Sequence, residues 1–207
     1  MQTEILPISA PNALQRALET LQAGELIAFP TDTVYGLGTL AFSAVGAEKI
    51  YQVKKRPPEK ALPILLGDIG QRKLVAEYVP EIAQKLATSL WPGALTLILP
   101  KHSDIPKTVS ALDTVGVRIP DHTFVRELFR RAGPMAVSSA NLSEHDSPTT
   151  AEDVFSRLSG SLPLILDGGA ISGGVPSTVV DCTGEDIHIL REGSISPKII
   201  WEISEKS

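Results

Sequence analysis

The residues able to do chemistry fall in short polar runs, each at the end of an apolar stretch. Residues 30–38, "PTDTVYGLG", place Thr31, Asp32, Thr33 and Tyr35 directly after "ELIAFP". A connecting loop needs turn formers, but it does not need three hydroxyls packed around a carboxylate. Groups of that kind orient a ligand. "KIYQVKKRPPEK" at 49–60 sets Lys49, Lys54, Lys55, Arg56 and Lys60 against Glu59 alone, a local charge of +4 in a chain of net charge −5. Such a run is commonly a solvated face. On an acidic protein it also suits a confined anion site. Arg118 interrupts the apolar run "VGVRIP", where a guanidinium is costly to bury unless it meets an anion. That anion is either an internal acid or a ligand.

"SSANLSEHDSPT" offers Ser139, Asn141, Ser143, Ser147 and Thr149, "PSTVVD" supplies Ser177 and Thr178, and "LREGSI" ends a strand on Arg191. Each run alone is explained by turn chemistry, capping or a surface charge. Together they collect at strand ends, where open α/β sheets bind ligands. Many anion partners and no evident nucleophile suit phosphoryl or nucleotidyl transfer, which depends on positioning and charge stabilisation.

Other chemistries fit less well. "GLGTLA" at 36–41 matches a loose dinucleotide fingerprint, but "TDTVY" separates it from the strand that should feed it, and no G-x-x-x-x-G-K-[ST] loop occurs. Gly36 and Gly38 read instead as turn formers that let backbone approach a ligand. Asp32 either orients neighbouring hydroxyls and amides or caps the turn, and is not assigned as a base. Ser138 and Ser139, with His145 nearby, lack the G-x-S-x-G elbow of a nucleophilic serine. Cys182 sits in apolar "TVVDC" and reads as buried. His102, His122, His145 and His188 are dispersed, against a zinc site. Magnesium carried by a nucleotide needs only one or two protein oxygens and stays open.

The elements that must position these groups follow from periodicity. Helices are expected at 9–24 (capped by Ser9), 43–56 (capped by Ser43 and stopped by Pro57–Pro58), 69–77, 80–90, 122–133, 149–160 (capped by Thr150 with Asp153) and 196–204. Strands are expected at 25–30, 61–68, 94–100, 114–121, 135–141, 162–169, 177–184 and 186–193. The interleaving implies an α/β fold around a mixed sheet. The 207 residues, 43% hydrophobic and 21% charged, suit one domain spanning 1–207. One cysteine, no signal-peptide pattern and no apolar run near the roughly 20 residues of a membrane helix predict a soluble cytoplasmic protein with no membrane partner.

Taken in order, "PTDTVYGLG", "KKRP", "WPGALTLIL", "VGVRIPD", "SSANLS" with "SPT", "STVVD" and "LREG" resemble the YrdC-like family of threonylcarbamoyl-adenylate synthases, over about residues 10–195. The resemblance implies a YrdC-like twisted mixed sheet flanked by helices, with a positively charged concave groove. It implies condensation of L-threonine, bicarbonate and ATP to L-threonylcarbamoyl-adenylate and pyrophosphate, with Mg2+ accompanying the nucleotide. Transferase proteins of the pathway would then modify adenosine 37 of tRNAs reading codons that begin with A. By matched positions it assigns Lys54, Arg56, Lys60, Ser139, Asn141, Ser147 and Arg191 to ATP, and Thr33, Tyr35, Arg118 and Ser177 to threonine. Catalysis is expected to be electrostatic, with Lys54 and Arg56 favoured. The run "KALPILL" departs from the family's "NPLIVH" by putting Leu65 where a histidine is common and Lys60 where asparagine is, and Ala94 replaces a usual proline. No extra C-terminal domain is expected. The alternative carried by the same resemblance is a non-catalytic paralogue that binds double-stranded RNA or tRNA.

Overall fold

The computed structural model describes residues 1–142 and 145–205, so Ser143 lies outside the described residues. One ten-stranded sheet runs in the order β1 (Glu4–Pro7), β8 (Leu164–Asp167), β2 (Ile27–Phe29), β3 (Gly36–Leu40), β7 (Met135–Ser139), β4 (Ile64–Leu65), β6 (Thr114–Arg118), β5 (Leu95–Pro100), β9 (Thr178–Asp181) and β10 (His188–Arg191). The pairs β1–β8, β2–β8, β4–β6 and β5–β9 are parallel and the others antiparallel, so the sheet is mixed, as expected.

Six α-helices are described: α1 (Ala13–Gln22), α2 (Ala44–Lys54), α3 (Glu81–Leu90), α4 (Thr123–Ala132), α5 (Ala151–Leu158) and α6 (Pro197–Ser204). Their ends follow local chemistry. Ser43 accepts from the Gly46 amide at 3.0 Å and Thr150 from the Asp153 amide at 3.1 Å. Gly133 closes α4 at φ 101°. Three expectations change. α1 starts after Asn12 and has no side-chain cap, so Ser9 does not cap it. The segment expected as a helix at 69–77 is a 3-10 helix, Ile69–Leu74, with Asp68 accepting from the Gly70 amide. β1 was not foreseen, since four residues of alternating half-burial give little signal.

The larger correction is β3. Gly36 and Gly38 are not turn formers; they lie within a strand paired on both sides, with Phe29 and Ile27 of β2 opposite them and Ser139 and Val137 of β7 on the other flank. A Cβ on either glycine would stand 3.0 Å from the Phe29 ring and 3.0–3.1 Å from Val137. The glycines make room for that ring, which meets Phe129 of α4 edge-on at 5.3 Å. Glycine here supplies space rather than a special φ.

Strand alternation sorts the core onto two faces. One face carries Ala28, Leu37, Ile64, Leu97, Val117, Ala136 and Val180, covered by α2, α3, α5 and α6. The other carries Ile27, Phe29, Leu65, Met135, Val137 and Leu164, covered by α1 and α4. On that second face the helices stop short. The same-parity residues of β5, β6 and β9, which are Thr96, Ile98, Gly116, Arg118 and Val179, line a hollow instead.

Candidate active site

The hollow has a volume of about 480 Å³, within the range of small-molecule sites. Its floor is the uncovered sheet face, and its rim comes from the loops after β2, α2 and β7 and before β9. Three arginines line it, Arg56, Arg118 and Arg191, and among the described residues no aspartate or glutamate does.

Each arginine is aimed by local structure. Arg118 is the last residue of β6, on the open face, and only 6% exposed. Its Nε donates to the Gly93 carbonyl at 2.9 Å, its Nη1 to Thr33 Oγ1 at 2.9 Å and its Nη2 to Asp32 Oδ1 at 2.5 Å. Asp32 is therefore the internal acid that sequence alone left as one of two possibilities. Burial lowers the Arg118 pKa, Asp32 opposes that, and Arg191 adds to it by repulsion. Arg56 follows the αL cap of α2 at Lys55 (φ 50°), which turns the chain out of the helix before Pro57. Its guanidinium donates to the carbonyls of Lys60 and Ala61, each at 3.0 Å. Arg191, at the end of β10, donates twice to the Ser177 carbonyl and once to Ser177 Oγ. Both are held by neutral oxygens, so their charge is left for a ligand.

Neutral groups fill the space between. Thr31 Oγ1 lies 2.6 Å from the Val34 carbonyl, so its proton points there. The 3.0 Å contact between Thr31 and Thr33 is then donated by Thr33. Ser177 Oγ pairs with Thr96 Oγ1 at 2.8 Å. Ser139 Oγ donates to Asn141 Oδ1 at 2.5 Å, and Asn141 Nδ2 donates to the His145 carbonyl. Ser147 lies on the same wall.

Of the eleven residues assigned from the sequence, Thr33, Arg56, Arg118, Ser139, Asn141, Ser147, Ser177 and Arg191 line this one hollow. Lys54, Lys60 and Tyr35 do not. Lys54 is 1% exposed, and its Nζ donates to the Ser139 carbonyl, the Asn141 carbonyl and Asn141 Oδ1. It braces the loop after β7 from behind. Burial, reinforced by Arg56, pulls its pKa down to about 7. Lys60 is exposed and contributes its carbonyl to Arg56. Tyr35 is fully buried, its hydroxyl donating to the Gly169 carbonyl at 2.8 Å and accepting from the Gly168 amide at 3.1 Å. Those two hydrogen bonds tie the loop after β2 to the one after β8, and burial pushes the hydroxyl pKa up to about 12.

Sequence reasoning missed Thr96. The signal was present: a lone hydroxyl in "ALTLIL" at the parity of Arg118's face. Leu65, in the place of the family's common histidine, does line the hollow and offers it only methyl groups. His145 also lines it, but among the described residues no hydrogen bond joins its ring to Ser138 or Ser139. Cys182 is fully buried, with its thiol pushed up to about 12 by burial. Among the described residues no cluster of three metal-binding side chains occurs, and no helix is long and apolar enough to cross a membrane.

Comparison with known proteins gives this geometry its context. Residues 19–193 match the Sua5, YciO and YrdC family profile, described as "Telomere recombination". The chain is 42% identical over 201 residues to a threonylcarbamoyl-AMP synthase of Bacillus subtilis (strain 168), covering 96% of this chain and 58% of that protein. The structure of P. abyssi Sua5 complexed with L-threonine superposes with a TM-score of 0.93 at 36% identity, over 97% of this chain and 61% of that one. E. coli YciO matches with a TM-score of 0.85 at 25% identity, over 95% of this chain and 98% of its own. The chain thus spans little more than half the length of the B. subtilis and P. abyssi relatives. With the family profile covering most of its length and the sheet superposing throughout, the chain belongs to the Sua5, YciO and YrdC family.

Proposed function

We propose that this protein is a threonylcarbamoyl-AMP synthase, an ATP-consuming nucleotidyltransferase that joins L-threonine, bicarbonate or CO2, and ATP. The observation that carries the reading is a hollow lined by three arginines and, among the described residues, by no carboxylate, in a chain whose relatives bear that name. The amine of threonine captures CO2 as a carbamate. The carbamate oxygen attacks the α-phosphorus of ATP, and pyrophosphate leaves. Every reactant is anionic or becomes so, and the arginines gather that charge without supplying a competing nucleophile.

In this reading Arg118, Thr33 and Ser177 hold the amino acid, its carboxylate taking the Arg118 donors that Gly93, Thr33 and Asp32 leave free. Arg56, Arg191, Ser139, Asn141 and Ser147 hold the nucleotide. Lys54 acts from behind, keeping Ser139 and Asn141 in place. Magnesium would accompany the nucleotide and neutralise part of its phosphate charge. The product serves threonylcarbamoylation of tRNA adenosine 37 through partner transferases. Pyrophosphate release from ATP tests the reading. It should require both L-threonine and bicarbonate, and release without any threonine requirement would overturn the assignment. No release, with RNA binding retained, would favour the non-catalytic module.

A further inference from the structure

Asp32 does not line the hollow, yet its carboxylate lies against the one guanidinium best placed to meet a ligand carboxylate. The ion pair is largely buried: the Arg118 side chain is 7% exposed and that of Asp32 17%. Arg118 has five N–H donors, and three are taken by Gly93, Thr33 and Asp32. The other two arginines of the site are handled differently. Arg56 and Arg191 rest on carbonyls and a hydroxyl, with no carboxylate partner among the described residues. Of these three, the most deeply buried arginine alone has a carboxylate partner among the described residues. The reason lies in its depth. A guanidinium buried without an anion is expensive, whereas half-exposed ones are eased by water.

We infer that Asp32 is a resident stand-in for the ligand's carboxylate, keeping Arg118 satisfied while the site is empty and competing for it when an anion arrives. In naming the amino acid as that anion, the inference rests on the reaction proposed above. The competition sets the affinity of the subsite. A carboxylate entering beside Asp32 meets a guanidinium whose charge is already balanced, so it binds less tightly than Arg118 alone would allow. Asp32 is thus an affinity-setting positioning residue that acts through Arg118 rather than by touching the substrate. A residue that merely held Arg118 in place would behave oppositely, since its loss would weaken binding.

The isosteric Asp32→Asn change separates the two roles. It keeps an oxygen able to accept from Arg118 and removes the charge. Calorimetric titration and thermal melting of the full chain, wild type and variant, with L-threonine and separately with sulfate against a chloride background, give the readout. The unliganded variant should melt lower than wild type. Its affinity for at least one of the two anions should rise about tenfold, because that anion now compensates a buried charge left unpaired. The gain should vanish when Arg118 is also changed to Gln. Affinity for both anions that is unchanged or weaker overturns the inference. If wild type and variant both ignore threonine while sulfate tightens in the variant, the stand-in role holds and the amino-acid reading fails. If Asp32→Asn does not fold unaided, refolding with threonine or sulfate must recover it, and failure to recover overturns the inference.

Discussion

Arg56 and Lys54 stand two residues apart in one basic run, yet the structure gives them different work. Arg56 faces the hollow, so Arg56→Ala should raise the KM for ATP by roughly 10–100-fold, the worth of a charge-assisted phosphate contact. Steady-state kinetics should show a much smaller change in the KM for threonine. Lys54 holds three oxygens behind the β7 loop. Lys54→Met leaves those acceptors unpaired, and denaturant unfolding near neutral pH should show a loss on the order of 1–3 kcal/mol. The pH sign follows from the direction of its shift. Its folded pKa of about 7 lies below the ordinary 10.5, so between those values the unfolded chain binds more protons. Wild-type stability should therefore rise relative to Lys54→Met as pH climbs through that window, with the difference flat below it. The sequence made the positive charge of 54–60 plain. It could not tell which side chains point inward, because that depends on where α2 ends and which way Lys55 turns the chain.

At the scale of elements, β3 carries the test. Gly36→Ala and Gly38→Ala should each destabilise by about 1–3 kcal/mol through overpacking against Phe29 and Val137. Phe29→Leu should recover part of that loss in a double-mutant cycle measured by denaturant unfolding, because the residues share one contact. A pure turn role would leave the glycine changes and the Phe29 change additive. The strand was illegible for a physical reason. "GLGTL" lacks the branched and aromatic residues that mark strands, since its side-chain volume is supplied by a ring from β2 and a valine from β7. β5 and β6 were legible because their apolar residues carry their own packing. Arg118 stood out there as a polar break, whereas Thr96, at the same parity on the neighbouring strand, was passed over. The loop residues Ser139, Asn141, Ser147 and Ser177 were found as a group because turn chemistry explains each one but not their convergence.

Across the whole molecule, one sheet carries two half-layers of helix on its second face and leaves the rest bare. A ligand that fills the bare part adds its binding free energy to folding. ATP at about a hundred times its dissociation constant should stabilise the protein by roughly 2.7 kcal/mol, a melting shift of roughly 5–10 °C for a chain of this size. Differential scanning calorimetry with and without nucleotide checks this, and the shift should shrink in Arg191→Ala. That mixed α/β layering was readable from the interleaving of strands and helices. Which strands would go uncovered was not, since it depends on α1 packing over β8 and β2 and on α4 lying beside α1. The gap over β5, β6 and β9 has a consequence for how this chain can vary. A site made from an omitted helix has its shape fixed by strand parity and its chemistry by whichever side chains alternate upward. Exchanging one such side chain, as at Ile98 or Val179, can retune what is bound while the core on the opposite face keeps its packing.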